Sequence, residues 1–117
     1  MKLNVIIGVV LFSASLAVYG AIGKDLRGLP GNLASDEDQQ IMREAILDAL
    51  ENQPDNVTTG WKNPLTGSNG IIRPVETYER DGMHCRKLRL RNNIDEQSNE
   101  WMFNFCKTPE GDWKIAP

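Results

Sequence analysis

The chain has 117 residues, enough for one domain of ordinary size and too few for two independently stable cores. Hydrophobic residues make up 40% and charged residues 25%, the balance of a globular protein, which excludes a disordered polymer and a multispanning membrane protein. With 13 Lys and Arg against 16 Asp and Glu the net charge is -3, so no overall field favours a polyanion and nucleic acid is not an expected partner.

Residues 1–23 differ from the rest. Lys2 stands ahead of an apolar run that carries no further charge until Lys24, which is the order of a secretory signal. Small residues suit signal cleavage in two places, Ser15 with Ala17 and Val18 with Gly20, and the second defines a signal peptide of residues 1–20. The uncharged stretch from Leu3 to Gly23 has 21 residues, about the length that crosses a bilayer, so an uncleaved anchor is the competing reading. Membrane contact is expected only in that case. Gly8, Ser13, Ser15 and Gly20 dilute the apolar character and favour cleavage. No cysteine lies near the end of the run, so no lipid anchor is expected. The chain reads as exported, to the periplasm or the cell surface.

Residues 21–34 contain Gly23, Gly28, Pro30 and Gly31 and read as a flexible linker ahead of a domain at residues 35–117. Ser35 followed by Asp36, Glu37 and Asp38 resembles a capping box with aspartate at its third position, and the three carboxylates suit the positive end of a helix dipole. Met42, Ala45, Ile46, Ala49 and Leu50 recur at three- and four-residue steps, with Ile41 and Leu47 widening the stripe, which predicts an amphipathic helix ended by Pro54. Gln39, Arg43, Glu44, Asp48 and Glu51 read as its solvated face.

Beyond Pro54 the period becomes two. Turn signals at Asn63-Pro64 to Gly70, Asp81-Gly82, Asp95-Glu96 and Pro109 to Asp112 divide the remainder into an antiparallel meander of four to five strands. The fold class is α+β, with the helix packed on the sheet. A two-residue turn at Asp81-Gly82 sets Arg80 opposite Met83, Val75 opposite Leu88 and Glu76 opposite Lys87. Opposing Cys85 to Cys106 in the next hairpin sets Leu88 against Phe103, Leu90 against Trp101 and Arg91 against Glu100, whereas a one-residue slip sets apolar side chains against charged ones. Leu88, Leu90, Trp101, Phe103, Phe105, Val75, Trp113 and Ile115 then face the helix. Cys85, Lys87, Arg89, Met102 and Cys106 face away.

Two cysteines at opposed strand positions of an exported chain predict a disulfide, Cys85 with Cys106. A catalytic thiol lacks a partner, because His84 and Cys85 are strand neighbours and point to opposite faces. One His and two Cys supply too few strong ligands for a metal, and no cofactor is expected.

Four local signatures stand in order: Trp61-Lys62-Asn63-Pro64-Leu65-Thr66-Gly67 with Gly70, the strand reaching Tyr78, Cys85-Arg86, and Cys106 followed by Pro109-Glu110-Gly111-Asp112-Trp113-Lys114-Ile115. With the acidic-capped helix, they resemble the C-terminal domain of the 17 kDa surface antigen family of Gram-negative bacteria, the rickettsial-type outer-membrane antigens, over residues 36–116. That family reads W-x-N-P-x-x-G in the first segment and C-R-x-x-D-G-x-W in the last; here Lys107 follows Cys106, and Gly111-Asp112 reverses the usual order. Family members commonly carry a lipid-attachment cysteine and a glycine-zipper segment before this domain, and this chain has neither, so outer-membrane anchoring does not carry over. The resemblance implies an envelope protein of the surface-antigen type with no catalytic residues to transfer.

The remaining constellations read as structure. Arg86, Lys87, Arg89 and Arg91 form a basic cluster expected to pair across strands with Glu76 and Glu100, and His84 reads as an exposed strand residue. Asn56-Val57-Thr58 matches a glycosylation sequon, which the bacterial resemblance makes a chance match. No nucleophile, base and orienting group can be assembled, so the chain does not read as an enzyme. It reads as an interaction domain whose partner is an envelope protein or other envelope component, contacted through Trp61, Asn63, Pro64, Gly67 and Gly70. The alternative is a periplasmic inhibitor or accessory protein presenting the same loop to an enzyme. Trp61 has two readings, an interface anchor or an aromatic folded over the sheet edge.

Overall fold

The computed structural model describes residues 34–117; the signal-peptide reading and the linker up to residue 33 lie outside the described residues. A helix, α1 (Asp36–Asn52), precedes five strands: β1 (Thr59–Lys62), β2 (Asn69–Arg80), β3 (Met83–Ile94), β4 (Gln97–Lys107) and β5 (Trp113–Ala116). The strands lie in chain order in one antiparallel sheet, as the meander reading expects.

Ser35 caps α1, its hydroxyl accepting the Asp38 N–H at 3.0 Å. The helix closes where the Gln53 N–H reaches the Ala49 carbonyl, one residue before Pro54. Met42, Ile46, Ala49 and Leu50 are buried, Ile41, Ala45 and Leu47 are half-buried around them, and the stripe packs against β1 and β2. Trp61, Ile72, Leu88, Leu90, Phe105 and Trp113 complete the core from the sheet side. Trp101, Phe103 and Ile115 share that face but sit at its margin, half-buried.

Both long hairpins have the expected turns. Asp81 and Gly82 take φ of 53° and 77°, the left-handed pair a two-residue hairpin requires, and Arg80 faces Met83 and Glu76 faces Lys87. In the second hairpin Cys85 faces Cys106, Leu88 faces Phe103, Leu90 faces Trp101 and Arg91 faces Glu100. The Cys85–Cys106 disulfide joins its open end.

One register differs from expectation. Val75 does not oppose Leu88, because the ladder shifts between Pro74 and Glu76 and Pro74 takes that place. A proline has no N–H to give to a central ladder, and a β-bulge is where a sheet accommodates one. Pro74 is thereby buried under α1 while its carbonyl accepts the Asn56 N–H at 2.6 Å, and Val75, the extra residue, is half-buried.

Lys87, Arg89 and Met102 face away from α1 as expected. Cys85 and Cys106 share that face yet are enclosed, with Tyr78 directly beside Cys85 and its hydroxyl reaching across β3 to Asn104 Oδ1 at 3.0 Å.

Candidate functional site

Two groups of polar side chains are built at the two ends of α1. At its start, Asp38 turns inward and is only 2% exposed. Its Oδ1 accepts from Asn63 Nδ2 at 2.8 Å and from Thr66 Oγ1 at 2.7 Å. Burial pushes the Asp38 carboxyl pKa up, but hydrogen bonds from Thr66, Ser68, Asn63 and the Ser35 backbone outweigh it and hold the group below its ordinary value. The aspartate of the capping box is thus also the anchor of a loop 25 residues further along the chain.

Asn63 organises that loop. Its Oδ1 accepts the Leu65 N–H at 3.1 Å, its carbonyl accepts the Gly67 N–H at 2.8 Å, and its own N–H reaches the Ser68 carbonyl at 2.8 Å. Asparagine suits the first place because its side chain mimics a turn of backbone, and Gly67 adopts φ of 81°. Below the loop, Trp61 faces Gly70 across the β1–β2 ladder and is 6% exposed. A Cβ on Gly70 would run into the Trp61 indole and approach the Arg91 carbonyl oxygen to 2.6 Å, so only glycine fits beneath the ring. Of the five residues expected to make contacts, Trp61, Asn63 and Gly70 are therefore turned inward, whereas Pro64 and Gly67 lie on the surface. Between them Leu65 stands 82% exposed at the tip.

At the other end of α1, a cleft of about 370 Å³ is lined by Glu51, Pro54, Asp55, Thr77, His84 and Arg86 among others. Arg86 closes its floor. Its Nη1 donates to the Ala49 and Leu50 carbonyls at 2.9 and 3.1 Å, its Nη2 to Asp55 Oδ1 at 2.9 Å, and its Nε to Thr77 Oγ1 at 2.9 Å. The Thr77 hydroxyl in turn donates to Asp55 Oδ1 at 2.7 Å. The guanidinium thus satisfies the Leu50 carbonyl that the end of the helix leaves open, adds a second donor to the Ala49 carbonyl that Gln53 already reaches, and places positive charge at the negative end of the dipole. Glu51 accepts from Trp113 Nε1 at 2.7 Å and from Lys107 Nζ at 2.9 Å, and the Lys107 ammonium lies 5.7 Å from the Trp113 ring centre.

Two sequence expectations need correction here. Arg86 does not belong to the cross-strand basic cluster: strand alternation places it with Leu88 and Leu90, under the helix. Glu100 faces Arg91 in the ladder but forms its ion pair diagonally, with Arg89 at 3.0 Å, while Lys87 does meet Glu76 at 3.6 Å. Sequence reasoning also passed over Asp38 and Glu51 as anchors. The alternation that assigned Leu88 to the core carried the signal for Arg86; nothing local marked the two acids, because their partners lie far along the chain.

The cleft is a latch in chemical terms. Hydrogen bonds from Thr77 and Arg86 hold the Asp55 carboxyl below its ordinary range; burial raises that of Glu51, but Lys107 and Trp113 more than reverse the effect. Carboxylates kept ionised in this way are weak proton acceptors at neutral pH. Among the described residues no three His, Cys, Asp or Glu side chains gather where a metal ion could bind.

Comparison with known proteins follows the same segments. Residues 48–114, from the last turns of α1 to β5, match the family model described as 17 kDa outer membrane surface antigen. The 17 kDa surface antigen of Rickettsia prowazekii is 27% identical over 82 residues, 69% of this chain and 52% of the relative, and that of Rickettsia rickettsii gives the same figures. The Rickettsia bellii protein of that name is 25% identical over 105 residues, 86% of this chain and 66% of the relative. The chain thus spans about half the length of the Rickettsia prowazekii relative that it matches. No solved structure matches it. The helix end latched by Arg86, the Asn63 loop and the disulfide hairpin all fall within the matched segment, and the chain belongs to the 17 kDa outer membrane surface antigen family.

Proposed function

We propose that this is an exported, non-catalytic envelope or surface protein whose folded domain binds another envelope component through the tip around Pro64 and Leu65. The observation that carries this reading is a large apolar side chain, Leu65, held 82% exposed on a loop that Asp38 braces from inside. A fixed loop loses little conformational freedom on binding, and an exposed apolar tip gains by being covered. The naming of the relatives as surface antigens supports the location.

The test combines localisation with binding. N-terminal sequencing of the mature protein should show a chain lacking residues 1–20, or 1–17, recovered from the periplasm or cell surface. Leu65→Asp should weaken capture of the envelope partner by about 1 to 3 kcal/mol, as for an interface anchor, with an unchanged denaturant midpoint. Intact Met1 in a carbonate-resistant membrane pellet would replace the cleaved form by an anchored one, and undiminished capture by Leu65→Asp would remove the tip from the interface. The same braced loop suits a periplasmic inhibitor or accessory protein, and recovery of one soluble enzyme as the partner would select that reading.

A further inference from the structure

The net charge of the chain conceals a separation across the sheet. Asp36, Glu37, Glu44, Asp48 and Glu51 lie exposed on α1, where Arg43 is the helix's one basic residue. On the opposite face of the sheet, strand alternation gathers Lys62, Arg73, Lys87, Arg89, Arg91 and Lys114 against Glu76 and Glu100. Lys87 and Arg89 meet those two acids in ion pairs. Arg73 stands directly opposite Arg89, has no hydrogen-bond or ion-pair partner among the described residues, and keeps its Nε buried without an acceptor. Arg91 donates only to the neutral Ser98 hydroxyl, and Lys62 is exposed with no acidic partner among the described residues. Like charges directly opposed on a sheet repel unless an anion lies between them.

Two apolar side chains are set among these cations. Ile71, 37% exposed, faces Arg91, and Met102, 49% exposed, faces Arg89. We infer that the open face of the sheet docks on an anionic lipid surface, with Arg73, Arg91 and Lys62 meeting headgroup phosphates and Ile71 and Met102 entering the headgroup boundary. Arginine suits phosphate through its planar fork, and long basic side chains reach a polar interface while their stems lie on apolar surface. Single-stranded nucleic acid is disfavoured because it needs stacking platforms, and on this face Tyr78 is held beside the disulfide by Asn104. The acidic helix on the far side points away from such a surface and so fixes the orientation.

The test is co-sedimentation of the full chain with vesicles of phosphatidylcholine alone and of phosphatidylcholine with about one third phosphatidylglycerol. Residues 1–33, with Lys2, Lys24 and Arg27 against Asp25, are common to all variants, so the reading is the change in anionic preference that each substitution causes. Wild type should prefer the anionic vesicles and lose that preference in about 0.5 M salt. Arg73→Gln with Arg91→Gln should lower the preference about 25-fold, roughly fivefold for each charge near the surface, while Arg43→Gln on α1 leaves it unchanged. If the double variant proves unstable, Lys62→Gln should still give the fivefold loss. Equal binding to both vesicles, or an undiminished preference in the sheet variants, overturns the inference. So does self-association by light scattering that the sheet variants abolish while vesicle binding persists, which would assign the face to a second copy.

Discussion

Asp38 is a carboxylate drawn into the interior, which the fold tolerates because Asn63, Thr66, Ser68 and the Ser35 backbone all donate to it. Its folded pKa is lowered, so it adds stability above the unfolded value near 3.8 and loses that contribution as pH falls through the folded pKa. Denaturant midpoints measured across acid pH should therefore fall steeply below about pH 4 in wild type and less steeply in Asp38→Asn. Asp55 adds to the same trend, but its side chain is 37% exposed and solvent weakens its share. At neutral pH Asp38→Ala should cost about 1 to 3 kcal/mol, because the donors of Asn63 and Thr66 lose their acceptor. For Trp61 the burial of the indole makes stability the expected readout: Trp61→Ala should cost about 3 to 5 kcal/mol by denaturant midpoint.

At the scale of elements, α1 is fastened at both ends, by Asp38 to the loop and by Arg86 to the sheet. Arg86→Lys keeps the charge but loses the fork that reaches two carbonyls, Asp55 and Thr77 together, and should cost about 1.5 to 3 kcal/mol. Hydrogen exchange should quicken at the Ala49 to Gln53 amides before the rest of the helix. The β3–β4 turn offers the reverse case. Asp95 and Glu96 both sit in the left-handed region, at φ of 51° and 65°, and Glu96→Gly should raise stability by about 1 kcal/mol in the same denaturant assay. Helix and hairpins were legible because caps, turns and cysteines are local marks. The bulge at Pro74 was not, since counting back from the Asp81-Gly82 turn runs through Val75 without a break and only the missing N–H of proline signals the shift.

For the molecule as a whole, the Cys85–Cys106 bond closes a separation of 21 residues between neighbouring strands that already share a core. Reduction should therefore lower stability by about 3 kcal/mol and leave the native sheet populated, which near-UV circular dichroism of the reduced protein can check. The helix covers one face of the sheet, and among the described residues no other element packs on the opposite face. An acidic chain thereby presents a basic surface, which no sum over the sequence can reveal.

What the sequence determined by itself is what depends on neighbours within a few residues or on a single pair of facing strands. Ser35 starts the helix, Pro54 ends it, Asp81-Gly82 turns the chain, and the two cysteines set a register that every facing pair between Cys85 and Ile94 then obeys. Only the tertiary structure decided what the buried polar residues do. Asp38 and Asn63, Arg86 and the Ala49 carbonyl, and Glu51 and Trp113 are 25, 37 and 62 residues apart, and their side chains meet because packing an apolar helix on a sheet brings its two polar ends against distant strands. The same packing turned Trp61 inward, because alternation along β1 puts it on the face that α1 covers, and left Leu65 at the surface, at the tip of the loop that Asp38 ties down.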